Sequence, residues 1–381
     1  MARCPTTTEI DIQHLDRAAR RGVRGHGLVE PNPMVGCVGL DAEGTPVGEA
    51  HHRVAGGPHA ERLLIDRFGA RLRNGTIYIT LEPCTHHGRT PPCSDAIIDA
   101  GIRRVVIGCL DPNPEAAGGV ELLRSAGIEV DVIDHAPSQM LSEIFRHRVT
   151  TGLPWVIAKW AQTLDGRLAA RTGHSKWISS ERSRRLVHRE RGRVDAILTG
   201  IGTLLADDPL LTARNVRRRR TARRVLIDPD LRIPDDAAVL RTLDEAPLTV
   251  ACSEHAATAK DAFRSKLVDA GVDVLALPAA ADRLPLVDVL VHLSGVHNCS
   301  TVLTEAGPGV LSRLAAEGLI NEAMVFVAPL LLGDTEGLAP VNGFDPETIR
   351  DSMHLELRSM RRRADDVFLR YGVSSSAIDR S

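Results

Sequence analysis

Between Pro58 and Cys93 the chain reads P-H-A-E-R at one end and L-E-P-C-T-H-H-G-R-T-P-P-C at the other. This stretch constrains the first half of the chain more than any other. His59, Cys84 and Cys93 supply one imidazole and two thiolates, a donor set that suits a zinc ion held by three protein ligands with a fourth position open. Each of the three precedes or opens a predicted helix, so bringing them together also dictates how helix starts and a strand end must meet.

Glu61 follows one residue after the histidine. An H-x-E element with a downstream P-C pair is the signature of zinc-dependent deaminases, in which the glutamate shuttles protons. The usual signature has two residues between the cysteines, whereas eight separate Cys84 from Cys93. A lone H-A-E tripeptide arises by chance, and intracellular cysteines are often just small buried hydrophobes. The reading rests on all the pieces occurring together in the right order.

Around this stretch, hydrophobic periodicity predicts alternating helices and strands. His14 to Val23 reads as a short amphipathic helix, Met34 to Leu40 as a buried strand, and D-A-E-G-T-P from Asp41 as a hairpin connection. Leu63, Leu64 and Phe68 sit at helical spacing after His59, which places the histidine in the first turn. Thr76 to Leu81 is a β-branched strand delivering Glu82, Pro83 and Cys84 at its carboxyl end, where ligands gather in open α/β sheets. A helix near Cys93, a strand over Arg103–Leu110, D-P-N-P at Asp111–Pro114, a strand over Ile128–Ile133 and a helix ending near His147 complete the half. This alternation implies a sheet covered by helices on both faces.

P-N-P-M-V-G-C-V, G-G-P-H-A-E, T-L-E-P-C-T-H-H-G-R-T-P-P-C and D-P-N-P together resemble the deaminase half of the bifunctional deaminase/reductases of riboflavin biosynthesis, including that family's long cysteine spacing. The resemblance implies an α/β fold with an N-terminal cytidine-deaminase-like three-layer domain. It also implies that His59, Cys84 and Cys93 hold zinc, that Glu61 is the catalytic proton carrier, and that Asn32, His52, Arg89 and Asn113 contact a pyrimidine ribotide. A carboxamide suits a heterocycle edge and a guanidinium suits a phosphate. After D-P-N-P the family usually has a G-x-G element, and this chain reads E-A-A-G-G-V, one residue shorter.

V-T-T-G-L-P at Val149–Pro154 breaks the helical pattern and marks the expected boundary, giving a deaminase domain over 1–150, a reductase domain over 151–375 and a tail over 376–381. Trp155 to Ala161 is a strand leading to L-D-G-R, and Ser179 or Ser180 is placed to cap a helix through Arg191. Val194 to Thr199 is a strand ending in Gly200-Ile201-Gly202-Thr203, read as a glycine turn that lets a diphosphate approach the backbone. Thr301 to Val310 is a strand with Glu305 at its end, followed by a glycine turn and a helix through Glu317. Leu248–Ala251, Val272–Leu277, Ala323–Val327 and Asp366–Arg370 are further strands. W-V-I-A-K-W-A-Q-T-L-D-G-R, L-A-D-D-P-L-L-T-A-R and T-V-L-T-E-A-G-P-G-V resemble the family's reductase half, which is similar in fold to dihydrofolate reductase. That resemblance implies NADPH as cofactor, with Thr163, Trp177, Gly200, Gly202, Thr203, Gly307 and Pro308 along it. Lys159, Arg191, Asp207, Arg214 and Glu305 are then expected on the substrate side.

The basic run Arg217–Arg220, with Arg223 and Arg224, reads as a solvated loop because no aromatic residue interleaves it. A net charge of −2 and 3% aromatic residues argue against nucleic acid as a partner. The seven scattered cysteines fit a reducing cytoplasm rather than a disulfide framework. Neither a signal-peptide core nor a run long enough to span a bilayer is present, so no membrane is expected. A homo-oligomer is expected. Two rival readings remain at this level, a nucleic-acid base deaminase with an appended domain and a zinc-stabilised binding protein without catalysis. The long cysteine spacing disfavours the first, and the full set of ligands with Glu61 disfavours the second.

Overall fold

The computed structural model describes residues 7–86, 91–280, 283–343 and 346–373. The tail over 376–381 lies outside them. The chain divides into two compact units, Met1–Gly152 and Leu153–Ser381.

The first unit runs α1 (Thr7–Gly22), β1 (Gly36–Leu40), β2 (Pro46–His51), α2 (Ala60–Leu72), β3 (Thr76–Ile79), α3 (Cys93–Asp99), β4 (Arg104–Ile107), α4 (Gly119–Ser125), β5 (Glu129–Val132) and α5 (Ala136–Thr151). Its sheet has the order β2-β1-β3-β4-β5, with β1 antiparallel to β2 and β3, and β3, β4 and β5 mutually parallel. Strand periodicity splits the core cleanly in two. Cys37, Ile77, Ile79, Val105 and Ile107 face Leu64 and Leu72 of α2, Ile97 of α3 and Leu123 of α4. The intervening Val38, Tyr78 and Val106 face Leu15 and Ala18 of α1. The result is the three-layer α/β/α arrangement expected from alternation. Helix α1 starts seven residues earlier than its apolar periodicity suggested, and Asp11 in that added stretch accepts from Tyr78 Oη at 2.8 Å and takes a bidentate pair from Arg104 at 2.9 Å.

The second unit contains β6 (Trp155–Gln162), α6 (Glu181–Arg191), β7 (Ala196–Gly200), α7 (Ile201–Asp207), β8 (Arg223–Ile227), α8 (Ala238–Arg241), β9 (Leu248–Ser253), α9 (Glu254–Ala259), α10 (Asp261–Asp269) and β10 (Asp273–Leu277). It continues with α11 (Leu286–Gly295), β11 (Thr301–Thr304), α12 (Pro308–Ala316), β12 (Glu322–Val327), β13 (Leu355–Arg363) and β14 (Asp366–Val373). Among the described residues these strands form one sheet of order β10-β9-β8-β7-β11-β6-β12-β14-β13, parallel from β10 to β12 and antiparallel beyond. Ser180 caps α6, its Oγ accepting from the Ser183 amide at 3.4 Å.

Three expectations differ from the structure. Gly200–Thr203 is not a free glycine turn, because α7 begins directly at Ile201. Strand β13, rich in arginine and exposed along most of its length, carries no apolar alternation and escaped detection. The basic run is not a solvated loop throughout. Arg223 and Arg224 open β8, and Arg220 pairs with Asp195. Arg224 is fully buried and donates to Thr242 Oγ1 at 2.7 Å, the Thr242 carbonyl at 2.9 Å and the Ala246 carbonyl, fixing the connection from α8 to β9.

Replacing Arg224 with Met keeps its volume but strips donors from those acceptors. The expected loss is about 3 kcal/mol of unfolding free energy by urea denaturation. An unchanged midpoint would mean that water satisfies these carbonyls.

Candidate functional site

Three chain ends meet in the first unit. β3 runs out toward Cys84, α3 opens on Cys93, and His59 precedes α2. The histidine is the residue before the helix rather than part of its first turn, with φ −69° and ψ 168°. Its Nδ1 atom lies 3.6 Å from Cys84 Sγ and 3.3 Å from Cys93 Sγ, and the three donor atoms all fall within 4.8 Å of one another. The Cys93 amide, at the start of α3, donates to Cys84 Sγ at 3.5 Å. The bond from the Cys93 thiol, followed by His59, holds the Cys84 thiol well below its usual value.

Glu61 is buried at 3% exposure, and its Oε2 has no hydrogen-bond partner among the described residues. Burial pushes its carboxyl above the usual range. Three soft and borderline donors with an open carboxylate oxygen beside them fit zinc. His59, Cys84 and Cys93 are the residues that would hold the ion.

Around this centre, His52 is buried between neighbours. Its ring stands edge-on to His59 with centroids 5.3 Å apart. Its Nδ1 meets the Pro58 carbonyl at 3.0 Å, and its Nε2 meets Asn32 Nδ2 at 3.3 Å. Burial lowers the His52 pKa, and the neutral ring protonated on Nδ1 satisfies both contacts. Asn113 sits in the D-P-N-P loop, its Oδ1 accepting from the Glu115 amide at 3.2 Å. That loop is brought to the cysteines by Ala116, which packs on Cys84 and Cys93. Arg89 lies outside the described residues.

Sequence reasoning missed the residue that anchors this loop. Glu82 is 5% exposed and accepts from the amides of Asp111, Gly118 and Val120, each at 3.1 Å. Gly118 is left-handed at φ +98°, and a Cβ on Gly119 would run into the Pro83 carbonyl. The available signal was a carboxylate two residues before a metal-type cysteine, at the end of a buried strand.

In the second unit the adjacent parallel strands β6, β11 and β7 bring Lys159, Glu305 and Gly200 toward one end of the sheet. Glu305 is the hub. Arg191 donates to it through Nε at 2.5 Å and Nη2 at 3.1 Å, and Lys159 Nζ lies 3.4 Å away. Burial alone would raise the Glu305 carboxyl, but the two cations hold it at about 2. Arg191 also donates to the Thr212 carbonyl at 3.2 Å, next to Leu211, whose buried backbone is left-handed at φ 52°. Arg214 is exposed and only loosely tied, at 3.5 Å to Thr212 Oγ1.

On the expected cofactor side, the Gly307 amide donates to Thr203 Oγ1 at 3.1 Å, so the starts of α7 and α12 adjoin, with Pro308 as the first residue of α12. A Cβ on Gly202 would meet nothing within 4 Å. The Thr163 hydroxyl is spent inside its own turn, donating to Asp165 Oδ1 at 2.6 Å and accepting from the Arg167 amide at 2.9 Å. Trp177 is 69% exposed, with the Arg184 guanidinium 4.5 Å above its ring. Asp207 pairs with Lys176 at 2.8 Å, a partner that sequence reasoning did not name.

The "Cytidine and deoxycytidylate deaminase zinc-binding region" family matches residues 9–109, and the "RibD C-terminal domain" family matches residues 154–369. The chain is 40% identical over 363 residues to riboflavin biosynthesis protein RibD of Aquifex aeolicus, covering 95% of this chain and 98% of that one. It is 36% identical over 364 residues to RibD of Escherichia coli, covering 94% and 98%. Among solved structures, Acinetobacter baumannii RibD superimposes with a TM-score of 0.81 at 34% identity, covering 97% of this chain and 100% of that one. A diaminohydroxyphosphoribosylaminopyrimidine deaminase/5-amino-6-(5-phosphoribosylamino)uracil reductase from Thermotoga maritima gives 0.81 at 31% identity, covering 96% and 99%. Fold and site thus define a two-part enzyme, a zinc deaminase joined to a reductase. The chain belongs to the RibD family, the bifunctional deaminase/reductases of riboflavin biosynthesis, and its cofactors are zinc and NADPH.

Glu305→Gln leaves Arg191 buried without its anion, at an expected cost of about 3 kcal/mol. Because the folded carboxyl titrates at about 2 rather than 4.5, its contribution is fully present above about pH 4.5 and is lost as pH falls toward 2. The gap in unfolding free energy between native and variant protein, measured across acid pH, should therefore narrow on acidification.

Proposed function

We propose that the chain performs two consecutive steps on one pyrimidine ribotide. The unit over 1–152 hydrolytically deaminates 2,5-diamino-6-ribosylamino-4(3H)-pyrimidinone 5′-phosphate. The unit over 153–381 then reduces the ribosyl side chain, giving 5-amino-6-ribitylaminouracil 5′-phosphate. The observation that carries this reading is the unpartnered, buried Oε2 of Glu61 beside one imidazole and two thiols. The Thermotoga maritima relative, named for both activities, supports the choice of substrate.

Zinc, when bound, supplies a Lewis acid that makes water nucleophilic near neutral pH. Glu61 takes a proton from the attacking water and delivers it to the departing amine. Burial favours its protonated form, which suits a group that must take up a proton and release it again. Asn32, steadied by His52, reads the heterocycle edge, while Asn113 and Arg89 complete the contacts to the ribotide.

NADPH supplies the hydride that reaches C1 of the sugar in its open imine form. Thr163, Trp177, Gly200, Gly202, Thr203, Gly307 and Pro308 line the cofactor. Arg191 and Glu305 form a fixed charged floor, since the guanidinium donates to both Glu305 oxygens and to the Thr212 carbonyl. Lys159, which also pairs with Glu305, and the exposed Arg214 are then the cations that meet the substrate phosphate, with Asp207 at the sugar hydroxyls. The reading extends to a homo-oligomer in the cytoplasm acting independently of nucleic acid. It is supported by the exposed Leu357 and Met360 on edge strand β13, by the free Cys37, Cys84, Cys93, Cys109 and Cys252, and by the near-neutral charge. No helix among the described residues is long and apolar enough to cross a membrane.

Mass spectrometry after incubating zinc-loaded protein with the diaminopyrimidine ribotide and NADPH tests the assignment. The expected product carries both mass changes, and an unchanged mass alongside an active control enzyme refutes it. Glu61→Gln is expected to lower the deamination rate by about 10²–10⁴-fold while leaving zinc content and reductase turnover intact. Gly202→Val should fill the open space at the start of α7 and raise the NADPH KM about tenfold, with deamination unchanged.

A further inference from the structure

A second group of metal-type ligands lies in the reductase unit. Asp273 is the first residue of edge strand β10, His292 sits in the last turn of α11, and His297 follows in the turn leading to β11. Their donor atoms fall within 4.8 Å of one another. His292 Nε2 lies 2.9 Å and His297 Nε2 2.7 Å from the same oxygen, Asp273 Oδ2, and the two rings stand at 79° with centroids 5.1 Å apart. Thr249 Oγ1, on the neighbouring strand, donates to that oxygen at 2.9 Å and fixes the carboxylate.

We propose that Asp273, His292 and His297 form a second metal site, taking one zinc-class divalent ion with water in the remaining position. Two imidazole nitrogens and a carboxylate oxygen suit late first-row ions, zinc among them. Around zinc, with bonds of about 2.0–2.2 Å, tetrahedral ligand atoms sit about 3.3–3.5 Å apart, so each nitrogen–oxygen distance needs to open by only about 0.4–0.8 Å. The side chains are 18%, 17% and 29% exposed for His292, His297 and Asp273, which leaves room for a water ligand while sheltering the donors. The Thr249 contact acts as the outer hydrogen bond that orients a ligating carboxylate.

The position dictates the role. Asp273 stands at the amino end of its strand, whereas Gly200 and Glu305 stand at the carboxyl ends of β7 and β11 in the same parallel array. The ion is therefore structural, clamping the outermost parallel strand to α11 and the turn behind it. Its all-nitrogen-and-oxygen donor set is also distinct from the sulfur-rich set at His59, Cys84 and Cys93.

Metal content by plasma mass spectrometry on full-length protein, grown with zinc and then desalted, tests this directly. Native protein should retain two zinc equivalents per chain, and a His292→Ala/His297→Ala variant one, with deamination and reduction unchanged in the zinc-loaded variant. One equivalent in both proteins overturns the proposal and leaves the cluster as a hydrogen-bonded clasp. If the variant fails to fold, zinc titration of full-length Cys84→Ser/Cys93→Ser protein by calorimetry decides. One equivalent bound, with its affinity weakened tenfold or more by adding Asp273→Asn, supports the site, and no saturable binding overturns it.

Discussion

A carboxylate buried at the end of a parallel strand must be matched by donors, because an ion removed from water without partners is costly. Each unit of this chain is organised around one such group. Glu82, just beyond β3, is met by three backbone amides from a loop distant in sequence. Glu305, just beyond β11, is met by a guanidinium and an ammonium. In both places the need to satisfy the anion fixes a neighbouring element: the D-P-N-P loop beside the cysteines, and α6 with its Arg191 against the sheet.

The parallel sheets make these positions available. Strands that run together present their carboxyl ends on one rim, and the helices that follow begin there. Cys84 follows β3, and His59 and Cys93 stand at helix starts, so residues far apart in sequence form one donor set. The same logic in the second unit lets β7 and β11 deliver Thr203 and Gly307 into mutual contact.

Most of this was legible from the chain itself. Burial on both faces of β1, β3 and β4 is written in the sequence as near-continuous apolar runs, and the spacing of H-A-E and the two P-C elements carried the donor set. What could not be read follows from polar residues serving buried structure. Arg224 sits in a basic run whose composition says solvent, yet its partners are carbonyls supplied by a turn some twenty residues on. β13 escaped because an exposed edge strand needs no apolar face. His52 reads as a loop histidine until Pro58 and Asn32 are seen on either side of its ring. Leu211 adopts a left-handed backbone that nothing local to its sequence announces.

The Glu82 clamp grips the loop at both ends, at Asp111 on one side and at Gly118 and Val120 on the other. Between those grips the segment is tied to the cysteine side as well: Ala116 packs on Cys84 and Cys93, and its carbonyl accepts from the Thr85 amide at 3.2 Å. The loop that carries Asn113 and the strand end that carries Cys84 are therefore one mechanical unit, so a change in the loop's length or composition is felt at the thiols.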